Sequence, residues 1–406
     1  ALAGLRRTAA DRFAALGFPT IGQEDWKYTN LSRVADLSLE WLQTTPSETG
    51  AEPDANLERV LSDVQSSIDA HWIIVQDGMP ADSLPQIDGI EIERLSATAD
   101  TNLSADEALS ALNVALLRDG LRIRVRAGAA ADRPIAILNL DSDAERVAQS
   151  RVVVELAENA RLQLIECALS TGDGAQFTNS VVDVDLARGA HLDHVRIQDR
   201  HVDHSGTYRL QAILARDSGF RHSGFDFGGA LSRNDVVTDI QGTGAAIVLN
   251  GLYLAAGEQH IDNHTRIVHG VGPSTSDEES RGFMTGRSQG VFNGKVIVAE
   301  GADGTDSSQS NHNLLLSDRA EIDTKPELEI YADDVKCAHG ATVGQLDQSA
   351  LFYLQSRGLD RDQAKQILTR AFAAGMLSSL SVTACHDFIA ARLDRRLAHL
   401  VDELND

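Results

Sequence analysis

A short corner motif returns at near-constant spacing through the middle of this chain. Leu156-Ala157-Glu158-Asn159-Ala160-Arg161-Leu162 recurs thirty residues later as Leu186-Ala187-Arg188-Gly189-Ala190-His191-Leu192, and more loosely as Leu214-Ala215-Arg216-Asp217-Ser218-Gly219-Phe220. A further echo is Leu316-Ser317-Asp318-Arg319-Ala320-Glu321-Ile322. Each copy reads as a strand end, a turn with a small residue and a new strand. A period of 28 to 30 residues holding two or three strands is one coil of a parallel β-helix, in which every coil stacks its apolar inward face on its neighbours. A sandwich has no reason to repeat one corner at fixed spacing. The expected fold is therefore mainly β: a right-handed parallel β-helix core flanked by an N-terminal helical and mixed segment and a C-terminal helical one.

The flanks follow from local pattern. Leu5, Ala9, Phe13 and Leu16 recur at helical spacing before Gly17, and Pro19 ends the run. A Pro/Ser/Glu-rich linker is expected near 44–56. His71 to Gly78 reads as a strand closed by an Asp-Gly turn, and 104–117 as a helix opened by a capping Ser104. From Leu121, strand-like segments of five to eight residues follow one another, among them LRIRVRAG, PIAILNL, RVVVELA and RLQLIEC. Helical periodicity returns near Ser349, with Gly358 and Gly375 where helix C-caps belong. The expected division is 1–118, a β-helix core at 119–346, and 347–406, whose helices either pack on the end of the solenoid or dock a partner.

Composition narrows the function. With 36 basic and 60 acidic residues the formal charge is -24, a field that repels phosphate backbones and anionic lipid, so neither nucleic acid nor a membrane is an expected partner. The start lacks the apolar core of a signal peptide, no run approaches a membrane span, and Cys167, Cys337 and Cys385 cannot all pair. A cytoplasmic protein with reduced thiols is expected. That also argues against a secreted β-helix enzyme of the polysaccharide-lyase type.

Catalytic motifs are missing. Gly290-Val291-Phe292-Asn293-Gly294-Lys295-Val296 has three residues between its glycines where a phosphate loop has four, and Val where Ser or Thr must reach magnesium. Gly242-Thr243-Gly244 lacks the third glycine and the helix of a dinucleotide fingerprint. His191, His194, His201 and His204 crowd into fourteen residues, but positions three apart in a strand face opposite ways, so His191 and His194 cannot share an ion without a bulge. His260, His264 and His269 are equally ambiguous. The strongest local signal is Cys337-Ala338-His339: two apart in an extended segment, thiol and imidazole face the same way, and both suit soft or borderline metals, iron in clusters included. Two ligands do not close a site, so a functional pair needs a second chain; a half-buried Cys beside a structural His is the plain alternative.

The run EIDTKPELEIYADDVKCAHGATVGQLDQSALFYLQSRGL (321–359), continued by Ala371-Phe372-Ala373-Ala374-Gly375, closely resembles the C-terminal signature of the SufB/SufD family. Phe18-Pro19-Thr20 and Glu24-Asp25-Trp26-Lys27-Tyr28-Thr29 resemble the opening of its SufD branch. His339-Gly340-Ala341-Thr342 stands where SufB carries His-Glu-Ala-Thr, and His312 stands where SufB places a cysteine in the preceding strand. The resemblance implies a non-catalytic scaffold of the SufBCD complex for iron–sulfur cluster assembly. It would pair with SufB through the β-helix, hold the SufC ATPase on its C-terminal helices, and form a homodimer when alone. His339 matches the family histidine of the interface, and Cys337 a nearby family cysteine; both are candidate ligands of a nascent iron–sulfur cluster shared with SufB. A reduced flavin is associated with the complex, without residues to place it here, and no nucleotide is expected on this chain. A β-helix partner with no direct ligand role, or a SufB-like scaffold, are the other readings.

Overall fold

The computed structural model describes residues 2–43, 55–97, 103–142 and 146–403. Among these, two long sheets face each other. One runs, in hydrogen-bonding order, Met79–Pro80 (β2), His71–Gln76 (β1), Ile135–Asp141 (β5), Arg161–Ser170 (β7), His191–Asp199 (β9), Gly219–Asp226 (β11), Ala246–Ala255 (β13), Thr275–Met284 (β15), Asp306–Leu315 (β17) and Lys336–Gly344 (β19). The other runs Ile90–Arg94 (β3), Leu121–Val125 (β4), Arg146–Leu156 (β6), Gln176–Leu186 (β8), Ser205–Leu214 (β10), Leu231–Ile240 (β12), His260–His269 (β14), Gln289–Val298 (β16) and Glu321–Ile330 (β18). Odd and even strands alternate along the chain, and apart from β2 and β3 every pairing is parallel and between strands one coil apart. This is the expected parallel solenoid, with two strands per coil.

Its corners explain the repeat. Asn159, Gly189, Asp217 and Gly244 stack at one corner, each with a positive φ between 56° and 77°. The backbone N–H of each donates to the coil above, as Asn159 does to Arg188 O and Gly189 to Arg216 O. A side chain and a bare glycine alternate up this ladder for a steric reason. A Cβ at Gly189 would overlap Asn159 Oδ1, and one at Gly244 would overlap Asp217 Oδ1. The fourth echo, 316–322, lies at the opposite corner, between β17 and β18; its similarity reflects the shared strand–turn–strand chemistry, not the same position in the coil.

At its early coils both faces of the first sheet are buried, which is why β5 reads as an unbroken apolar run, whereas β15 and β17 alternate. In β7, Leu162 and Leu164 point between the sheets, while Ile165, Cys167 and Leu169 point out against helices. Those helices are Ala55–Ser67 (α3), Arg361–Ser378 (α6) and His386–Glu403 (α7), which bring Val64, Ile68, Met376, Phe388, Ile389 and Leu393 onto the sheet. The C-terminal helices thus pack along the outer face of this sheet, not on the end of the solenoid. The second sheet is covered at its early coils by Leu2–Leu16 (α1), Ser32–Gln43 (α2) and Ala108–Leu116 (α4). Gln348–Ser356 (α5) precedes α6.

Several local expectations change. Residues 44–54 of the linker lie outside the described residues, and its last two open α3. The strand at 71–76 joins the solenoid, pairing parallel with β5. Ser104 does not cap α4; Glu107 stands at that cap without a side-chain bond, and Ser104 instead offers its carbonyl to Arg151. Gly358 does sit past the end of α5 with φ 94°. Gly375 lies inside α6, where a Cβ would be 3.0 Å from the Arg281 guanidinium; the glycine admits Arg281, which bonds the Phe372 carbonyl.

The interior is apolar toward one corner and polar toward the other. Glu166 accepts from His194 Nε2 (2.9 Å) and Tyr208 (2.9 Å), His194 stacks on His222, and Arg196 pairs with Asp226 (2.8 Å). His269 is buried between the hydroxyls of Ser274 and Ser276, 2.8 and 2.9 Å away, and burial pulls its pKa down to about 4 from 6.5. Between those values the unfolded chain takes a proton that the folded chain refuses, so stability falls as pH drops. Relative to His269→Gln, native stability in urea unfolding should fall by about 2 kcal/mol from pH 7 to pH 5; an equal profile would contradict a buried neutral imidazole. For the corner ladder, Gly189→Ala should cost about 1–3 kcal/mol. Gly4→Ala in α1, where nothing lies within 4 Å of the new methyl, should cost nothing measurable or stabilise slightly.

Candidate functional site

The two ends of the solenoid differ. At the first, β2 and β3 turn antiparallel and close the sheets. At the other, β18 and β19 end the sheets with no strand among the described residues stacked on them, and their residues are mostly exposed or half-buried. Ile330, Tyr331 and Val343 stand 43%, 64% and 47% exposed there. An unpaired parallel edge flanked by apolar side chains is a surface suited to a partner.

Cys337 and His339 lie on this last strand. In register, Cys337 pairs with Ser307, His339 with Gln309 and Thr342 with His312. Burial along β17 alternates so that Ser307, Gln309, Asn311 and Asn313 face the interior. Cys337 and His339 therefore share the interior face, as two-residue spacing predicts, and Cys337 packs partly on the core. His312 faces the other way, with Nδ1 2.9 Å from Thr342 Oγ1. Gly340 also lies on that outer side, and a Cβ there would meet nothing within 4 Å. The space at Gly340 thus opens on the same face as His312, not on the face of His339.

Burial, with a smaller push from the Asp306 carboxylate, holds the Cys337 thiol above its ordinary pKa, against a weaker bond to the Ser307 backbone. His339 is exposed. Among the described residues no group of three or more His, Cys, Asp or Glu side chains could hold a metal, so this pair offers two donors and no closed set. Thiol and imidazole fit iron in kind and fall short in number.

Beneath the pair lies a floor that single-strand patterns do not reveal. Gln309 is 3% exposed, and its Nε2 donates to Glu278 Oε2 at 2.7 Å. Glu278, buried without a cationic partner beside it, is raised to about 7 by desolvation. Glu278, Gln309 and His339 occupy one column, one coil apart. Their spacings of 31 and 30 residues are the repeat itself, so continuing the corner alignment into the strands finds them.

The histidine cluster is structural. His194 is buried on Glu166 and His222, His204 is buried 3.5 Å from Asp141, and His201 lies half-exposed between Asp173 and Asp203. His260 and His264 face Thr29 and Asp262 on the outside of the second sheet. The N-terminal Glu24-to-Thr29 segment is a strap over that face. Trp26 stacks on Arg233 (4.3 Å), Thr29 bonds Asp262, and Glu24 reaches Lys325 on β18 (2.9 Å). A depression of about 1040 Å³ between α2 and α7, floored by Phe177, Phe227 and Leu231, lies away from Cys337 and His339. No described helix is long and apolar enough to cross a membrane.

Comparison with known proteins agrees with the geometry. The family model described as SUF system FeS cluster assembly, SufBD core domain, matches residues 138–372. The iron-sulfur cluster assembly protein SufD of Escherichia coli is 30% identical over 395 residues, covering 94% of this chain and 90% of that one. A SufBD family protein of Synechocystis is 28% identical, covering 93% and 87%, and the SufD of Bacillus subtilis 24% identical, covering 72% and 67%. The chain belongs to the SufB/SufD family of the SUF iron–sulfur cluster assembly system, with its likeness on the SufD side.

Proposed function

We propose that this chain is a non-catalytic scaffold half. Its open solenoid end pairs with SufB in the cytoplasm and presents His339, with Cys337 beside it, to a nascent iron–sulfur cluster. The observation that carries this reading is the placement of a thiol and an imidazole on the interior face of an uncapped terminal strand. Two donors on an edge have chemistry only when another chain completes the set, and SufB would supply the remaining thiolate. His339 would donate a neutral ring nitrogen to iron or position a sulfur intermediate. Without SufB, a second copy of the chain would cover the same edge as a homodimer. A flavin is not assigned to residues of this chain.

The SufC ATPase would dock on the C-terminal helices. Phe352 and Tyr353 on α5 and Ile367 on α6 stand 72%, 56% and 44% exposed, an apolar group on helices whose other sides already pack. Deleting these helices is a poor test, because α6 and α7 cover Phe225, Phe227, Leu252 and Phe283 of the first sheet. Phe352→Ser combined with Tyr353→Ser should instead abolish co-purification with SufC and leave the circular dichroism and melting curve close to native. Undiminished co-purification refutes this docking face. His339→Ala in the reconstituted complex should lower cluster yield about tenfold or more, read from the absorption spectrum after anaerobic assembly. Unchanged yield would leave the chain as a structural partner with no ligand.

A further inference from the structure

We infer that Gln309, held by Glu278, is a positioning residue that fixes the ring of His339: the Gln309 side-chain carbonyl accepts one ring N–H and leaves the other nitrogen bare toward the open end. The inference rests on the reading of His339 as a ligand.

Its basis is a buried acceptor without a donor. Gln309 Oε1 is enclosed and has no hydrogen-bond partner among the described residues. An unsatisfied buried oxygen costs stability, so such atoms in native proteins ordinarily mark a missing partner. The amide cannot simply turn over, because its nitrogen is already committed to Glu278 Oε2. Room for that orientation is built in: a Cβ at Gly294 on β16 would overlap the Gln309 amide nitrogen. Of the nearby donors, Thr265 sits against Glu278 and three others are engaged elsewhere. Thr324 donates to Asn311 Oδ1 (2.9 Å), Asn313 donates to the same oxygen (2.5 Å), and Asn311 donates to Tyr253 (3.0 Å). The remaining donor in the column is the imidazole directly above, one coil away, at about 4.8 Å between backbones. Metal-binding histidines commonly give their second N–H to a carbonyl or carboxylate, which selects the tautomer and aims the ring. Gln309 supplies that carbonyl, and Glu278 is the clamp on its other end.

The test is the tautomer of His339 in the full chain, read from long-range ¹H–¹⁵N spectra of ¹⁵N-histidine protein, with the His339 signals assigned by their loss in His339→Ala. The native chain should show one neutral tautomer. Gln309→Met should relax it to the mixed ratio of a histidine in an unstructured peptide, while Glu278→Gln, which keeps an acceptor for the amide nitrogen, should retain the native ratio. A peptide-like ratio in the native chain overturns the inference, whether or not Gln309→Met folds, and so does a native ratio in folded Gln309→Met. The spectrum needs no cluster. A fixed tautomer together with full cluster yield in His339→Ala would therefore remove the ligand reading and keep the positioning role.

Discussion

In-register stacking of successive coils is the constraint on which the rest of this structure depends. Each interior side chain lies over its counterpart one coil away, so residues about thirty apart in sequence become direct neighbours. A parallel ladder tolerates no slip, since moving one residue would turn every interior side chain outward. The corner ladder pins the register: Asn159, Gly189, Asp217 and Gly244 alternate side chain and space, and a shift would set two side chains into one gap. The polar half of the interior adds a second lock. The Glu166, His194 and His222 contacts, and the Arg196–Asp226 pair, join adjacent coils and cannot all be satisfied in another alignment.

Much of this was legible because the coil period is written in the corner residues themselves. Leu156 to Leu162 and its copies gave the solenoid, and Cys337-Ala338-His339 gave two side chains on one face. What was not legible depended on surfaces that repeats do not encode. The Gly375 position reads as a helix stop by residue type, but it accommodates Arg281 from a strand 94 residues earlier in sequence number. Ser104 reads as a cap, yet its carbonyl is taken by Arg151. The docking of α6 and α7 on the sheet, rather than on its end, follows from strands apolar on both faces, a pattern visible in Ile135–Asp141 whose consequence for helix placement emerges only with the sheet assembled.

The N-terminal strap shows how distant sequence motifs become one structural unit. Trp26, Thr29 and Glu24 reach β12, β14 and β18 in turn, so a single short segment spans several coils of the second sheet and ends on the terminal strand. Buried Arg233 is shared between Asp235 (2.9 Å), Asp262 (2.5 Å) and the Trp26 ring, which keeps its charge compensated under the strap. The two motifs that carry the family resemblance, one at each end of the chain, meet on the same last coil.

That meeting bears on why the final coil is left open. A solenoid can end its sheets with antiparallel strands, and this chain does so at β2 and β3. At β18 and β19 it instead keeps a parallel edge whose interior face holds a polar floor, a half-buried thiol and an exposed imidazole. An edge of this kind, with Tyr331 and Val343 exposed beside it, invites unwanted pairing unless a specific partner covers it. Along the outer side of β18, Lys325 lies between Glu24 and Glu327 and Lys295 between Glu327 and Glu329, so that face carries paired charge beside the bare edge. On the proposed scaffold role, a partner strand added to the edge would extend the ladder by one coil and enclose Cys337 and His339, so that forming the interface and completing the proposed ligand set would be the same event.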